Sequence, residues 1–177
     1  MALTFFIGGA RSGKSYAAVQ AAITAGAPVN FVATATALDD EMIERIDTHK
    51  LQRPAHWMTV EEPLDLHSAI AAIPAHHTVI VDCLTLWVTN LMLGGHTPRS
   101  IVARSRNLAE LLNARPGHSL VISNEVGSGI VPMGELSRQF QDTLGTVNAT
   151  ISACAEQAFL FVAGRAIRLA KSGNVTL

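Results

Sequence analysis

The sequence predicts an α/β domain: a mostly parallel β-sheet with helices on both faces. Three observations carry this. Five short apolar runs recur along the 177 residues, with stretches of helical pattern between them. Each run is continuously apolar rather than alternating, as strands covered on both faces are. The first run breaks into a glycine-rich turn followed by a helical pattern, the strand–loop–helix order of a phosphate-binding loop.

The runs are LTFFI (Leu3–Ile7), VNFVA (Val29–Ala33), TVIVD (Thr78–Asp82), SLVIS (Ser119–Ser123) and FLFVA (Phe159–Ala163). They are rich in β-branched and aromatic residues, which suit a pleated, buried surface. A helix is expected after Asp39 and Asp40, whose side chains can accept hydrogen bonds from the free amides of a first turn. Glu41 and Arg45 then stand one turn apart as a favourable pair. LGGHTPRS (Leu93–Ser100) reads as a loop from its glycines and proline. The clearest helix runs from Glu135 to Glu156. Leu136, Phe140, Leu144, Val147, Ile151 and Cys154 form one apolar stripe along it, to bury against its own sheet or a partner helix. No repeat, low-complexity tract or linker interrupts the chain, so residues 1–177 read as a single domain.

Composition narrows the class. Hydrophobic residues make up 49% and charged residues 15%, as in globular rather than disordered chains. A net charge of −1 argues against a nucleic-acid partner held by a basic surface. The two cysteines, Cys83 and Cys154, have no CxxC pairing, so neither a disulfide framework nor a zinc ribbon is expected and a reducing cytoplasm is. The start of the chain lacks the basic segment and cleavage site of a signal peptide. No apolar run approaches the ~20 residues of a membrane span.

Gly8-x-x-x-x-Gly13-Lys14-Ser15 matches the Walker A pattern. Glycines let successive backbone N–H groups turn toward an anion, and the following helix adds the positive end of its dipole. Gly8, Gly9, Ala10, Arg11, Ser12, Gly13, Lys14 and Ser15 are therefore the expected nucleotide-binding residues. Lys14 would reach the β- and γ-phosphates, and Ser15 would ligate Mg²⁺. The plainer alternative is a glycine-rich turn that precedes a helix. Asp82, at the end of an apolar run, fits a second Mg²⁺ ligand, although strands also end in turn-forming Asp. Glu125 follows the fourth run in SNEVGSG and falls at the same carboxyl edge, where ligands of parallel sheets gather. Gly127 and Gly129 suit either an active-site loop or a tight strand-to-helix connection.

Beyond the phosphate loop, the chain resembles the bifunctional adenosylcobinamide kinase / adenosylcobinamide-phosphate guanylyltransferase family of cobalamin biosynthesis. The resemblance rests on GGARSGKS (Gly8–Ser15), ATA with LDDEMIERI (Ala33–Ile46), HKLQRPAHW (His49–Trp57), DCLTLWVTNL (Asp82–Leu91), SNEVGSGIVP (Ser123–Pro132) and RQFQDTLGTVN (Arg138–Asn148), in the family's order. It implies two reactions. A nucleoside triphosphate phosphorylates the hydroxyl of adenosylcobinamide. GTP then donates GMP to that phosphate through a guanylylated histidine, giving adenosylcobinamide-GDP and pyrophosphate.

The resemblance places that nucleophile at His49. A neutral imidazole suits attack on phosphorus. From spacing alone, a packed histidine sharing a helix face with Met42 and Ile46 is the favoured reading of His49, and the resemblance reverses it. His56 ranks second, because Pro54 and Trp57 beside it look structural. Arg53 can neutralise phosphate charge, or end a helix at the surface. Glu61 and Glu62 can meet guanine or ribose, or stand as exposed acids at a helix start. The resemblance favours function for Glu125 and Gly127, makes Glu125 a catalytic candidate together with His49 and Lys14, and implies Mg²⁺, corrinoid and GTP or ATP as ligands, and a homotrimer. It also departs from the family in places: Thr48 stands where some relatives carry a second histidine, and VPMGE delays an acidic residue to Glu135. Two other readings remain open. One is a P-loop small-molecule kinase without guanylyl transfer. The other is a RecA-like ATPase, whose core the chain also resembles, although it has no basic, aromatic strip for nucleic acid.

Overall fold

The computed structural model describes residues 3–36, 44, 50 and 53–171. Among these, one seven-stranded sheet runs in the order β3-β2-β4-β5-β1-β6-β7. Its strands are β1 (Leu3–Gly8), β2 (Val29–Ala33), β3 (Met58–Glu61), β4 (Thr78–Asp82), β5 (Ser119–Asn124), β6 (Gln157–Val162) and β7 (Arg165–Arg168). The first six are mutually parallel, and β7 turns back antiparallel to β6. The five expected runs are thus the five central strands. The two outer strands, β3 and β7, escaped sequence reading because MTVE and RAIR are short, polar and exposed.

The described helices are α1 (Lys14–Ala25), α2 (Leu66–Ala71), α3 (Leu84–Leu93), α4 (Pro98–Ala114) and α5 (Glu135–Cys154). Strand side chains alternate between faces. Phe6, Phe31, Ile80, Leu120, Ile122 and Phe161 meet Ala18 and Ala22 of α1. Leu3, Phe5, Ile7, Val32, Val79, Val81 and Val121 meet the other helices, with Trp87, Leu108, Leu112, Leu144, Val147 and Ile151 at the centre. Both faces are covered, which is why the strands carry no polar alternation.

Pro98 corrects the loop expected over Leu93–Ser100. It opens α4, where a missing N–H costs nothing, and the Thr97 hydroxyl accepts from the Ser100 amide at 3.3 Å. The stripe on α5 is also shorter than expected. Leu144, Val147 and Ile151 are buried, but Leu136 in the first turn of α5 is 65% exposed. The helix expected after Asp39 and Asp40, with Glu41, Met42, Arg45, Ile46 and His49, lies outside the described residues. Glu44 and Lys50, within that stretch, are both helical.

Buried Arg115 braces the opposite end of the sheet. Its guanidinium donates to the carbonyls of Ile70, Ile73, Pro74 and His77, at 2.9 to 3.3 Å. These bonds satisfy the end of α2 and offset most of the cost of burying the charge.

Candidate functional site at the carboxyl edge of the sheet

The phosphate loop leaves the end of β1 at the middle of the sheet. Close packing requires Gly8: a Cβ there would sit 2.3 Å from the Phe161 carbonyl oxygen on β6. Gly13 takes φ 96 and Arg11 φ 55, both left-handed, which coils the loop back on itself. The tip of the β6–β7 hairpin supports it from below, with the Gly164 amide donating to the Ser12 carbonyl at 3.1 Å. Lys14 is buried, and its ammonium donates to the Gly9 carbonyl at 2.8 Å, spanning the loop. Gly9, Ala10 and Arg11 are exposed, and Ser15 is half-buried in the first turn of α1. The Ser12 hydroxyl is buried without a hydrogen-bond partner among the described residues. A buried donor left over in a loop of inward-facing amides is a place for an anion.

Asp82 lies on the same edge. The order β4-β5-β1 puts one strand between it and the loop, and strand spacing makes that lateral separation about 10 Å. Thr34, fully buried just past β2, clamps the residue after it. The Thr34 hydroxyl donates to the Cys83 carbonyl at 2.7 Å and accepts from the Cys83 amide at 2.8 Å, while the Thr34 amide donates to the Asp82 carbonyl at 3.0 Å. Burial, reinforced by the adjacent Asp82 charge, pushes the Cys83 thiol up to about 11, so it stays protonated.

Glu125 comes to the loop through its backbone: its amide donates to the Gly8 carbonyl at 3.1 Å. Its carboxylate turns into its own segment, accepting from the Gly127 amide and from the Ser128 hydroxyl. Side chains of α5 steady this connection. Asn148 donates to the Asn124 carbonyl, Gln141 to the Val126 carbonyl, and Arg138 to the carbonyls of Pro132 and Met133.

A second cavity, of about 330 Å³, lies beside β2 and β3, lined by Lys50, Arg53, Pro54, Ala55, Trp57, Thr59 and Glu61. Arg53 lies over β2, its guanidinium carbon 3.4 Å from the centre of the Phe31 ring. Burial lowers its pKa, and the negative charges of Asp82 and Glu61 oppose that shift. Arg53 Nη1 is buried with no acceptor among the described residues. Glu61 pairs with Lys50 at 2.9 Å, and both side chains are well exposed. Glu62 has a structural post instead: its carboxylate accepts from the amides of Leu64 and Asp65. Asp65, not Glu61 or Glu62, caps the next helix, and its bond from Ser68 holds its carboxyl below the ordinary range.

The chain matches the model of the CobU family, cobinamide kinase / cobinamide phosphate guanyltransferase, over residues 4–169. This chain belongs to that family. It is 44% identical over 159 residues to the bifunctional adenosylcobalamin biosynthesis protein CobP of Pseudomonas aeruginosa, covering 89% of this chain and 91% of that one. It is 38% identical over 175 residues to the CobU protein of Escherichia coli, covering 92% and 96%. Among solved structures, the RadB recombinase aligns with a TM-score of 0.51 at 16% identity, over 90% of this chain and 73% of that one. That likeness concerns the fold alone, and agrees with a RecA-like P-loop core.

In this CobU-family chain the expected residues thus fall into two groups. Gly8 through Ser15, Asp82 and the Glu125 backbone gather around the end of β1. Arg53 and Glu61 line the neighbouring cavity, and His49 lies outside the described residues. Sequence reading missed Phe31, Thr34 and Gly164. Phe31 and Thr34 are hidden because a strand phenylalanine and the threonine that follows a strand carry no motif. Ala163-Gly164, between an apolar run and RAIR, is a readable hairpin turn.

Proposed function

We propose that the chain is a single catalytic domain that phosphorylates adenosylcobinamide from a nucleoside triphosphate and then transfers GMP from GTP to the product phosphate. Family membership supports both steps. The observation that carries the reading for this chain is the built cradle: a buried Lys14 and a Ser12 hydroxyl unpartnered among the described residues, in a loop one strand away from Asp82.

The backbone amides of residues 9–15 and Lys14 bind the β- and γ-phosphates. They stabilise charge as it builds on oxygens at either scissile bond. Ser15 and Asp82 offer hard oxygens at one edge, and would hold Mg²⁺. When bound, the ion supplies positive charge against the phosphate oxygens. Arg53, with a buried donor unmatched among the described residues, neutralises nucleotide phosphate, and Glu61 contacts the nucleoside. The backbone bond of Glu125 to Gly8 steadies the loop, and its carboxylate serves the reaction only if it leaves Gly127. His49 takes GMP by attack on the α-phosphorus, in line with departing pyrophosphate. It then passes GMP to the corrinoid phosphate. The resemblance makes a homotrimer the assembly expected.

The test uses purified protein, adenosylcobinamide, Mg²⁺ and GTP labelled at α or at γ in separate reactions. Label from γ should reach cobinamide, and label from α should first reach protein and then the corrinoid. Uptake of α-label by a His49→Ala variant would remove His49 from the role, and γ-transfer without α-transfer would reduce the chain to a kinase.

A further inference from the structure

Among the described residues, the Arg53 guanidinium has no acceptor at Nη1, and it rests on a ring. Arginine on a flexible stem loses considerable rotamer entropy when fixed. Something must hold the plane in place before a nucleotide arrives. Among the described residues, the Arg53 guanidinium meets the face of Phe31 and feels the charges of Asp82 and Glu61. Phe31 itself is 1% exposed and belongs to β2, whose backbone is paired on both sides by β3 and β4. Its ring is therefore among the most rigid surfaces in the molecule, while Lys50 and Glu61 around the same cavity are exposed.

We propose that Phe31 is a positioning residue for nucleotide binding: its ring is the platform that holds the Arg53 guanidinium over β2, with Nη1 ready for a phosphate oxygen. The inference rests on Arg53 serving the nucleotide, and adds that Phe31 acts through it. The geometry has a specific consequence. The ring offers its electron-rich face to the cation. Tyrosine keeps that face, whereas methionine or leucine fills similar space without it. Loss of the ring also disturbs core packing, so the separation comes from whether its effect on binding depends on Arg53.

The experiment is a double-mutant cycle on equilibrium binding. The probe is a GTP analogue with a methylene bridge between the α- and β-phosphates, which binds but cannot release pyrophosphate. The variants are Phe31→Met, Phe31→Leu, Phe31→Tyr, Arg53→Gln and Phe31→Met/Arg53→Gln, each checked for thermal unfolding. A cation–π contact of ordinary strength corresponds to a change of roughly three- to thirtyfold in Kd. Phe31→Met should weaken binding by about fivefold, and Phe31→Tyr by less than twofold. In the Arg53→Gln background, Phe31→Met should change Kd by less than twofold. Phe5→Leu, equally buried on the opposite sheet face, should lower the melting temperature without changing Kd.

If Phe31→Met weakens binding equally with and without Arg53, the ring acts through general packing and the proposal is overturned. The same follows if Phe31→Met and Phe31→Leu are folded and bind normally. Should Phe31→Met fail to fold, Phe31→Leu takes its place in the cycle. Normal binding by Arg53→Gln overturns both this inference and the role of Arg53. A wild-type chain that does not bind the analogue overturns the nucleotide reading as a whole.

Discussion

The phosphate loop and the Arg53 cavity sit on one sheet edge but are built from different materials. The loop is backbone: its shape is set by glycine geometry, by contact with β6 and by hydrogen bonds to peptide groups at Gly8, Gly9 and Ser12. The cavity is side chain: a cation on a ring and an exposed ion pair, brought together from β2, β3 and the segment between them. Backbone sites tolerate little, because a misplaced peptide moves every amide in the loop. Side-chain sites can be tuned one group at a time. Damage to the loop should therefore abolish both reactions, and damage to the cavity should weaken one of them by degrees.

The strongest test of that contrast is at the loop. In Gly8→Ala the new Cβ would lie against the Phe161 carbonyl, so β1 and β6 must separate at the cradle. We expect loss of both γ- and α-phosphate transfer, with a destabilisation of about 1–3 kcal/mol measured by denaturant unfolding. If the same ammonium serves either scissile bond, as proposed, Lys14→Ala should cost about 100-fold or more in both activities. A Lys14→Ala variant that lost only one activity would break the comparison at its root.

His49→Ala should separate the reactions instead. Adenosylcobinamide phosphorylation should stay within about twofold, while protein-bound α-label disappears. Next in size comes Thr34, which joins the two regions by clamping the Asp82–Cys83 link. Thr34→Val keeps the shape but strands the buried Cys83 amide and carbonyl, at a cost of about 1–3 kcal/mol. If Asp82 holds Mg²⁺, the variant should also need severalfold more Mg²⁺ for half-maximal activity, and Thr34→Ser should restore the wild-type requirement. An unchanged Mg²⁺ response in a folded Thr34→Val protein would make Thr34 a purely structural clamp.

The same contrast explains what the sequence disclosed. The loop is local: strand, Gly8, Gly13, Lys14, Ser15 and helix are contiguous, so their order is their geometry. Asp82 and Glu125 were readable as strand-end acids because parallel strands put their carboxyl ends on one edge. The central strands were readable for the reason that they are buried on both faces. The cavity is not local. That Phe31 lies under Arg53, and Lys50 beside Glu61, follows from β2 and β3 pairing across an intervening segment, which no spacing announces. The Glu125 carboxylate shows the converse: its position was legible, but its choice of Gly127 as partner depends on the turn that follows. Leu136 likewise fits the stripe of α5 in sequence, yet its side chain stays exposed.

The smallest expected effect is at the exposed pair. Lys50 and Glu61 are joined at 2.9 Å with much of both side chains in water. Such pairs contribute about 0–1 kcal/mol and are screened by salt. If Glu61 contacts the nucleoside, binding must draw its carboxylate away from Lys50, so the pair competes with the ligand. Removing Lys50 then has two opposing consequences. Glu61 is released for the nucleoside, but the triphosphate loses a nearby positive charge. Lys50→Met should shift the KM for GTP by no more than about threefold, and the shift should fade as salt is raised from low to physiological strength. Glu61→Gln should move KM further than Lys50→Met, because it alters the contacting group itself. A larger effect from Lys50, persisting in high salt, would mean that this ammonium binds the nucleotide directly. The cavity would then share the all-or-none behaviour of the loop.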